Sequence, residues 1–347
     1  MQDEHPSSSL SLWGRAGVGA LPRRRLVLAL GAAALGACAQ QPTAPEPQAR
    51  VRVKVFPGAQ NLGLFAAVQQ GFFARRNLDV DLQFTQNSVE LRNGLASGAF
   101  EIAHAAVDNA VAMRDPGGQD VVIISGGDNS MNELFVQPEI TAIEQLRGKT
   151  LVVDAPNTAY ALQAKKILKD RGVLPGDYAL KEVGGTFQRI RAMQQDKSNT
   201  ASMLNPPFSL QARASGLRSL GKVSDLLGPY QASGAFAMRP WAQANSGIVE
   251  RYLAAWIDGT RWGLNPANRE PAVALLAQRL QLDAPLAEST YGVLTTGIAR
   301  DAAFDAPGFA RLLAIRAEME GQWGGTPPPQ DRFVDLQWYQ RALRRVA

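Results

Sequence analysis

The alternation of short apolar runs with helical patterns constrains the fold of this chain more than any other feature. The strand-like segments VRVKVF (51–56) and LDVDLQFT (78–85) enclose a helical pattern at 61–77, and a similar round of strand and helix follows. The pattern restarts at 146–148 and continues with the strand-like KTLVVDA. This order predicts an α/β fold with parallel sheets and right-handed crossovers.

Two similar α/β units and a helical C-terminal region indicate two lobes. One further apolar strand, GAFAM, occurs at 234–238, and the remainder of the chain has an almost entirely helical pattern. We therefore expect the chain to cross between lobes near 146 and again near 234. Residues 51–145 plus 235–347 form the first predicted lobe and residues 146–234 the second. The helical tail is expected to pack on the first lobe.

The carboxyl ends of the strands predict where a ligand binds, because ligands of open α/β sheets lie outside those ends. The corresponding segments are rich in Gly, Asn, Asp and Thr, and most precede helices whose first N–H groups are free. They are 57–61, 85–88, 104–109, 126–129, 154–160, 184–186 and 205–208. The candidate ligand contacts are Asn61, His104, Asp108, Asn109, Asp128, Asn157, Thr158, Tyr160, Gly185, Thr186, Asn205 and Phe208.

Most of these candidates also have a purely structural interpretation. Asn157, Thr158 and Asp108 are residue types favoured as helix caps, and glycine at 185 suits many turns. His104 lies within an apolar strand, where a buried histidine is common. If Asp108 and Thr158 bind ligand, we expect their substitution to weaken binding without lowering the stability of the empty protein.

Side chains suited to catalysis are scarce. The chain has two histidines and one cysteine, and His5 precedes the apolar segment described below, which leaves His104. This composition excludes Cys/His zinc sites and Cys–His dyads. The sequence contains no Walker A loop, no G-x-S-x-G and no H-E-x-x-H. A binding function without catalysis, metal or cofactor is therefore expected.

The single cysteine, Cys38, ends an apolar run. Three arginines at 23–25 precede twelve uncharged residues at 26–37, which is typical of a secretory signal and too short to span a bilayer. Leu35-Gly36-Ala37-Cys38 resembles the lipobox of bacterial lipoproteins, a resemblance that implies cleavage before Cys38 and acylation of its thiol. Residues 1–37 are thus the predicted signal peptide, and residues 38–50 a lipid anchor with a disordered tether.

Two features of this N-terminal region have alternative interpretations. PRRRLVL (22–28) is similar to a twin-arginine export motif, but Pro22 stands where Ser or Thr is usual, so general secretory and twin-arginine export both remain open. The long stretch before it has no signal character, and the natural start is either Met1 or a downstream codon such as that of Val18. Removing residues 1–37 lowers the net charge from +5 to +3. So small and dispersed an excess argues against a nucleic-acid partner.

The order of motifs in the folded region resembles a known family. AAVQQGFFARRNLDVDLQFTQNSVELRNGLASGAFEIAHAAVDNAVAM is similar to the first lobe of periplasmic substrate-binding proteins of ABC importers for nitrate, sulfonates and thiamine pyrimidine precursors. LRGKTLVVDAPNTAYALQAKKILKDRG resembles the opening of that family's second lobe. Asn77 and Glu101 depart from the usual Gly and Asp. The resemblance covers about 51–240 and extends to the tail only in length and pattern.

This resemblance implies a type II periplasmic-binding-protein fold whose two lobes close on one small molecule. It also implies a monomer that is exported, anchored to a membrane by lipid, and partnered by the transmembrane permease of an ABC importer. The anchored protein would face the periplasm or the outer side of the cytoplasmic membrane.

The candidate segments favour a particular ligand chemistry. None contains Lys or Arg, whereas Asp108, Asp128 and Asp154 lie in or beside them. We therefore expect a neutral or amine-bearing ligand such as a nitrogen heterocycle of the thiamine-pyrimidine type. The alternatives are a sulfonate or other small organic anion, a pyrimidine-synthase-like enzyme of the same fold, and an exported sensor or chaperone without a transporter.

Overall fold

The structure is a computed structural model that describes residues 47–346. The predictions for the signal peptide, for Cys38 and for most of the tether lie outside these residues. The ten strands in the described part of the chain are β1 (Ala49–Val55), β2 (Leu78–Phe84), β3 (Ile102–Ala106), β4 (Val121–Asp128), β5 (Glu133–Val136), β6 (Thr150–Val153), β7 (Ala179–Glu182), β8 (Asn199–Leu204), β9 (Arg218–Lys222) and β10 (Ser233–Met238). Strand β1 begins two residues inside the predicted tether.

Helices outnumber strands in the described chain. The α-helices are α1 (Leu62–Gln69), α2 (Ser88–Ala96), α3 (Asp108–Arg114), α4 (Ala159–Asp170), α5 (Thr186–Gln195), α6 (Phe208–Ala214), α7 (Val223–Leu227), α8 (Arg239–Ala244), α9 (Ser246–Leu264), α10 (Arg269–Leu280), α11 (Ala284–Gly297), α12 (Ala306–Glu320) and α13 (Gln337–Arg344). In residues 47–346, no helix combines the length and the apolar character that a membrane span requires.

Two five-stranded sheets define the two lobes. The sheet of lobe 1 has the order β2-β1-β3-β10-β4, and the sheet of lobe 2 has the order β7-β6-β8-β5-β9. Strands β1, β2 and β3 pair in parallel, as do β6, β7 and β8. Strand β10 is antiparallel to β3 and β4, and β5 is antiparallel to β8 and β9. The expected α/β fold with a parallel-rich sheet in each lobe is confirmed.

The chain crosses to lobe 2 earlier than the predicted boundary near 146. The first crossing lies between Asp128 at the end of β4 and Glu133 at the start of β5, and the return lies between Lys222 and Ser233. In the sequence, ELFVQ looks like a hairpin-like return to the first sheet. In the structure Leu134 instead pairs with Met203 of β8. A four-residue apolar strand fits a buried position in either sheet, so only its tertiary partners distinguish them.

Helices α1 and α9 pack closely on one face of the lobe 1 sheet. Val51, Val53 and Val55 alternate inward along β1 and are fully buried in the same core as Tyr252 of α9. A Cβ on Gly259 of α9 would lie 2.2 Å from the carbonyl oxygen of Gly63 in α1, so this approach requires glycine at 259.

The helical tail contacts both lobes. Helices α9 and α13 pack on the lobe 1 core, in which Tyr252 and Trp338 are buried. Helix α12 instead packs against α4 of lobe 2, and Lys165 Nζ lies 3.0 Å from Glu320 Oε1 and Lys169 Nζ 2.9 Å from Glu318 Oε1. The expectation that the tail packs on the first lobe therefore holds for only part of it.

Candidate functional site

A cavity of about 650 Å³, including its open mouth, lies between the two lobes and is called the cleft below. Lobe 1 contributes the segments after β1, β2 and β3, and lobe 2 contributes those after β6, β7 and β8. The carboxyl ends of both sheets therefore face the same space, as the sequence predicts for parallel strands. Six of the twelve candidate residues line the cleft: Asn109, Thr158, Tyr160, Gly185, Thr186 and Asn205.

Hydrogen bonds join the lobes across the cleft. The backbone N–H of Gly185 donates to the carbonyl oxygen of Gln86 at 3.0 Å, and the Gln188 amide donates to Gln86 Oε1 at 2.8 Å. At another point, Asn205 Nδ2 donates to Gln60 Oε1 at 3.3 Å. These bonds hold residues of the lobe 1 segments against residues of the lobe 2 segments, so the structure represents a conformation in which the lobes are in contact.

Asp154, at the end of β6, places a carboxylate on the cleft wall. The backbone N–H of Ser88, the first residue of α2, lies 3.2 and 3.4 Å from its two oxygens. Within residues 47–346 this N–H is the one group that donates a hydrogen bond to the Asp154 carboxylate. A carboxylate has about four acceptor positions, so Asp154 retains acceptor capacity toward a ligand.

Arg189, in α5, lines the cleft although it is only 2% exposed. Its guanidinium donates to Ser202 Oγ at 3.1 Å, to the carbonyls of Gly184 and Met203 at 3.0 Å each, and to Thr186 Oγ1 at 2.9 Å. Burial lowers the pKa of the Arg189 guanidinium, and the nearby Asp154 acts in the opposite direction. Four of its five N–H groups are therefore engaged by the protein.

Arg189 is not among the candidates predicted from sequence, because the candidate segments end where α5 begins. A signal was available: Arg189 and Met193 are four residues apart, and with Ile190 they form the buried stripe of α5. An arginine on such a stripe requires buried acceptors. The cleft thus contains a positive charge, which the absence of Lys and Arg from the segments did not indicate.

Aromatic side chains form much of the remaining cleft wall. Phe56 follows β1, Tyr160 lies in the first turn of α4, and Phe187 lies in the first turn of α5. The Arg189 guanidinium lies 5.4 Å from the centre of the Tyr160 ring. Burial raises the pKa of the Tyr160 hydroxyl, so this group remains a neutral donor and acceptor. Flat apolar faces beside polar groups suit an aromatic or heteroaromatic ligand.

Two candidates, His104 and Asn61, face a smaller hollow inside lobe 1 instead of the cleft. His104 Nε2 lies 2.8 Å from the Tyr252 hydroxyl oxygen, and its ring meets that of Trp256 edge-on at 4.3 Å. Burial lowers the pKa of His104 to about 3. Asn61 Nδ2 donates to the carbonyl oxygen of Phe56 at 2.7 Å and thereby holds the turn after β1.

Two carboxylates among the candidates are satisfied by the protein itself. Asp108 forms a bidentate ion pair with Arg316, with N–O distances of 2.7 and 3.0 Å, and both side chains are nearly fully buried. Asp128 accepts hydrogen bonds from the Ser233 hydroxyl and from the Ser130 backbone N–H at 3.0 Å, and burial raises its pKa. We do not retain either carboxylate as a proposed ligand contact.

The last two candidates also lie away from the cleft lining. Asn157 is exposed, and its carbonyl oxygen accepts a hydrogen bond from Arg316 at 2.9 Å. Phe208 is buried in the lobe 2 core with its ring 6.1 Å from that of Phe187. In contrast, Thr158 lines the cleft without capping α4, because its hydroxyl donates back to the Ala155 carbonyl at 2.9 Å.

No cluster of three or more His, Cys, Asp or Glu side chains suited to a metal ion occurs in residues 47–346.

Residues 59–267 match the family model described as NMT1/THI5 like. No curated protein sequence matches the chain significantly.

Solved structures share the fold at low sequence identity. The ligand-binding component of an ABC-type import system from Staphylococcus aureus, with zinc bound, has a TM-score of 0.72 at 13% identity, over 85% of this chain and 99% of that one. The alkanesulfonate-binding protein SsuA of Xanthomonas axonopodis pv. citri, bound to MOPS, has a TM-score of 0.67 at 15% identity, over 82% of this chain and 96% of that one. The desulfurization enzyme DSZB has a TM-score of 0.60 at 14% identity, over 86% of this chain and 100% of that one.

Proposed function

Because the chain belongs to the NMT1/THI5-like family, we propose that it is a solute-binding protein that captures a small molecule in the cleft and delivers it to the permease of an ABC importer. The observation that carries this proposal is that the strand ends of both lobes line one cleft. A ligand that touches both lobes stabilises their closed arrangement by its differential affinity for that arrangement.

The proposal includes export and lipid anchoring. Its support is the sequence of the N-terminal region: a basic cluster, an apolar run of signal length and a lipobox-like end at Cys38. A lipid anchor would keep the protein close to a membrane permease. A single acyl chain binds only marginally, whereas the diacylated cysteine of a lipoprotein provides two chains and stable attachment.

For the ligand we propose a nitrogen heterocycle that carries an amine or ring N–H. Asp154 has free acceptor positions, and Asn109 and Asn205 add amide groups to the same lining. The faces of Phe56, Tyr160 and Phe187 suit the ring. The thiamine-pyrimidine type has these properties and remains the ligand type we favour.

A sulfonate or another small anion is the second candidate ligand class, and Arg189 is the observation that favours it. One of its five N–H groups has no acceptor among the hydrogen bonds of the described chain. A strong oxyanion usually receives bidentate recognition, which a single remaining N–H does not supply, and Asp154 would repel it. The heterocycle is therefore preferred.

We propose binding without chemical conversion. Among residues 47–346, those that line the cleft include no histidine or cysteine, and their one carboxylate and one guanidinium do not form a nucleophile–base pair. The fold alone does not exclude an enzyme, since DSZB has it. The alternatives are a pyrimidine-synthase-like enzyme and an exported sensor or chaperone of the same fold without a transporter.

A ligand panel on the purified protein tests these proposals. It should contain 4-aminopyrimidines, alkanesulfonates, nitrate and aromatic acids. A ligand at about 100 times its Kd adds roughly 2.7 kcal/mol of stability, on the order of 5 °C in unfolding temperature. We expect this shift with an aminopyrimidine and recovery of that compound unchanged by mass spectrometry. A shift with a sulfonate alone would reject the heterocycle, and conversion of the compound would reject the binding function.

A further inference from the structure

Arg316 of α12 contacts residues of both lobes. The Arg316 side chain is 1% exposed, and its guanidinium donates to both carboxylate oxygens of Asp108, at 2.7 and 3.0 Å. The same Nη2 that reaches Asp108 also donates to the carbonyl oxygen of Asn157 at 2.9 Å. Asp108 begins α3 in lobe 1, and Asn157 lies between β6 and α4 in lobe 2. One guanidinium therefore connects the two lobes from behind the cleft.

Both of these partners adjoin residues of the cleft wall. Asp108 is followed directly by Asn109, and Asn157 is followed by Thr158 and then by Tyr160 two residues later. A change in the position of either partner is therefore passed along one to three residues of backbone to a lining side chain. Arg316 thus acts on the site through the segments that it holds.

The surroundings of Arg316 fix its position relative to lobe 2. Glu318 and Glu320, in the same helix, pair with Lys165, Lys166 and Lys169 of α4. Burial opposes the charged form of Arg316, but the Asp108 carboxylate outweighs this and raises its pKa, so the group stays charged. The partly buried cation Arg92 lies close enough to interact electrostatically with Asp108, Arg316 and Asp154.

We infer that Arg316 is a positioning residue of the ligand site, which sets how closely the Asp108–Asn109 and Asn157–Tyr160 segments approach when the lobes meet. This inference rests on the proposed solute-binding function. A planar fork is required because the guanidinium donates to four acceptors: both carboxylate oxygens of Asp108, the carbonyl oxygen of Asn157 and, within the tail, Gln322 Oε1 at 3.3 Å. A lysine ammonium cannot reproduce that geometry.

The test separates lobe position from stability. The double variant Arg316→Met with Asp108→Leu removes both charges of the buried pair together, and such replacements are often neutral for stability. We expect its unfolding temperature to stay within a few degrees of wild type. We also expect a larger radius of gyration by small-angle X-ray scattering and about tenfold faster amide hydrogen exchange at 157–160. Arg76→Met with Asp258→Leu is the matched control, because that pair lies within lobe 1 and its tail.

Wild-type scattering and wild-type exchange in a stable double variant would overturn the inference. If the double variant does not fold, Arg316→Lys carries the test: we expect it to fold, with exchange at 157–160 faster than in wild type, and unchanged exchange would reject the positioning role. These measurements use the ligand-free protein. A failed ligand panel would therefore reject the proposed function and leave this result interpretable.

Discussion

The backbone N–H of Ser88 and the carboxylate of Asp154 meet across the cleft, at 3.2 and 3.4 Å, although they belong to different lobes. Ser88 begins α2, so the positive end of that helix faces the carboxylate. The hydrogen bond leaves most of the acceptor capacity of Asp154 free. Asp154 is therefore the residue on which the proposed recognition of an amine or ring N–H depends most.

Asp154→Asn should weaken binding of an aminopyrimidine by about 5- to 150-fold, the effect of leaving a ligand donor without its charged partner. The amide is nearly isosteric and can still accept from Ser88, so we expect the unfolding temperature of the empty protein to change little. Isothermal titration with the compound selected by the panel measures the affinity. Asp79→Asn is the control, because Asp79 is exposed and far along β2 from the cleft. Equal affinity in the two variants would place recognition elsewhere.

Asp108→Ala should destabilise the empty protein by about 3–5 kcal/mol, because it leaves the buried charge of Arg316 without its partner. This differs from the expectation drawn from sequence, in which Asp108 contributes to binding alone. Urea unfolding of the ligand-free protein measures the free energy. Replacement of the exposed Asp79 by Ala should stay within about 0.5 kcal/mol of wild type. A similarly small effect of Asp108→Ala would contradict the importance of the ion pair.

His104 should make the stability fall on acidification. The unfolded chain binds a proton at this side chain below pH 6.5, whereas the folded protein does so only near pH 3, where burial places the pKa. Stability is therefore full above pH 6.5 and is lost as the pH falls, by up to about 1.4 kcal/mol per pH unit. Between pH 7 and pH 5, wild type should lose about 2 kcal/mol more than His104→Phe. If the unfolding free energies of wild type and His104→Phe instead fall equally with pH, His104 is accessible to protons in the folded state.

Cys38→Ala should abolish lipidation and release the exported protein from the membrane fraction, because no thiol remains for acylation. Fractionation of cells with metabolic labelling by a palmitate analogue measures both properties. Thr43→Ala, in the predicted tether after the lipobox-like residues, is the control. Identical membrane partition of Cys38→Ala and wild type would reject the lipid anchor.

Local patterns identified most of the secondary structure and the end of the sheets at which the cleft lies. Strand β1 shows alternating buried residues and helix α4 an amphipathic pattern. Both patterns repeat within a few residues, so they can be recognised from the local sequence. The boundary of lobe 1 was less accessible, because the short β5 fits either sheet. The partners of β5 are β8 and β9, which lie more than sixty residues further along the chain.

The sequence by itself determined the α/β order, the two lobes and the candidate segments, since strand and helix periods are local and parallel strands place their carboxyl ends together. Tertiary structure alone decided which polar side chains face the cleft. Asp108 forms an ion pair with Arg316, which lies 208 residues away in sequence, and Arg189 lines the cleft from the middle of helix α5. Such pairings depend on long-range packing, because a buried charge is satisfied by whichever partner the fold brings within reach.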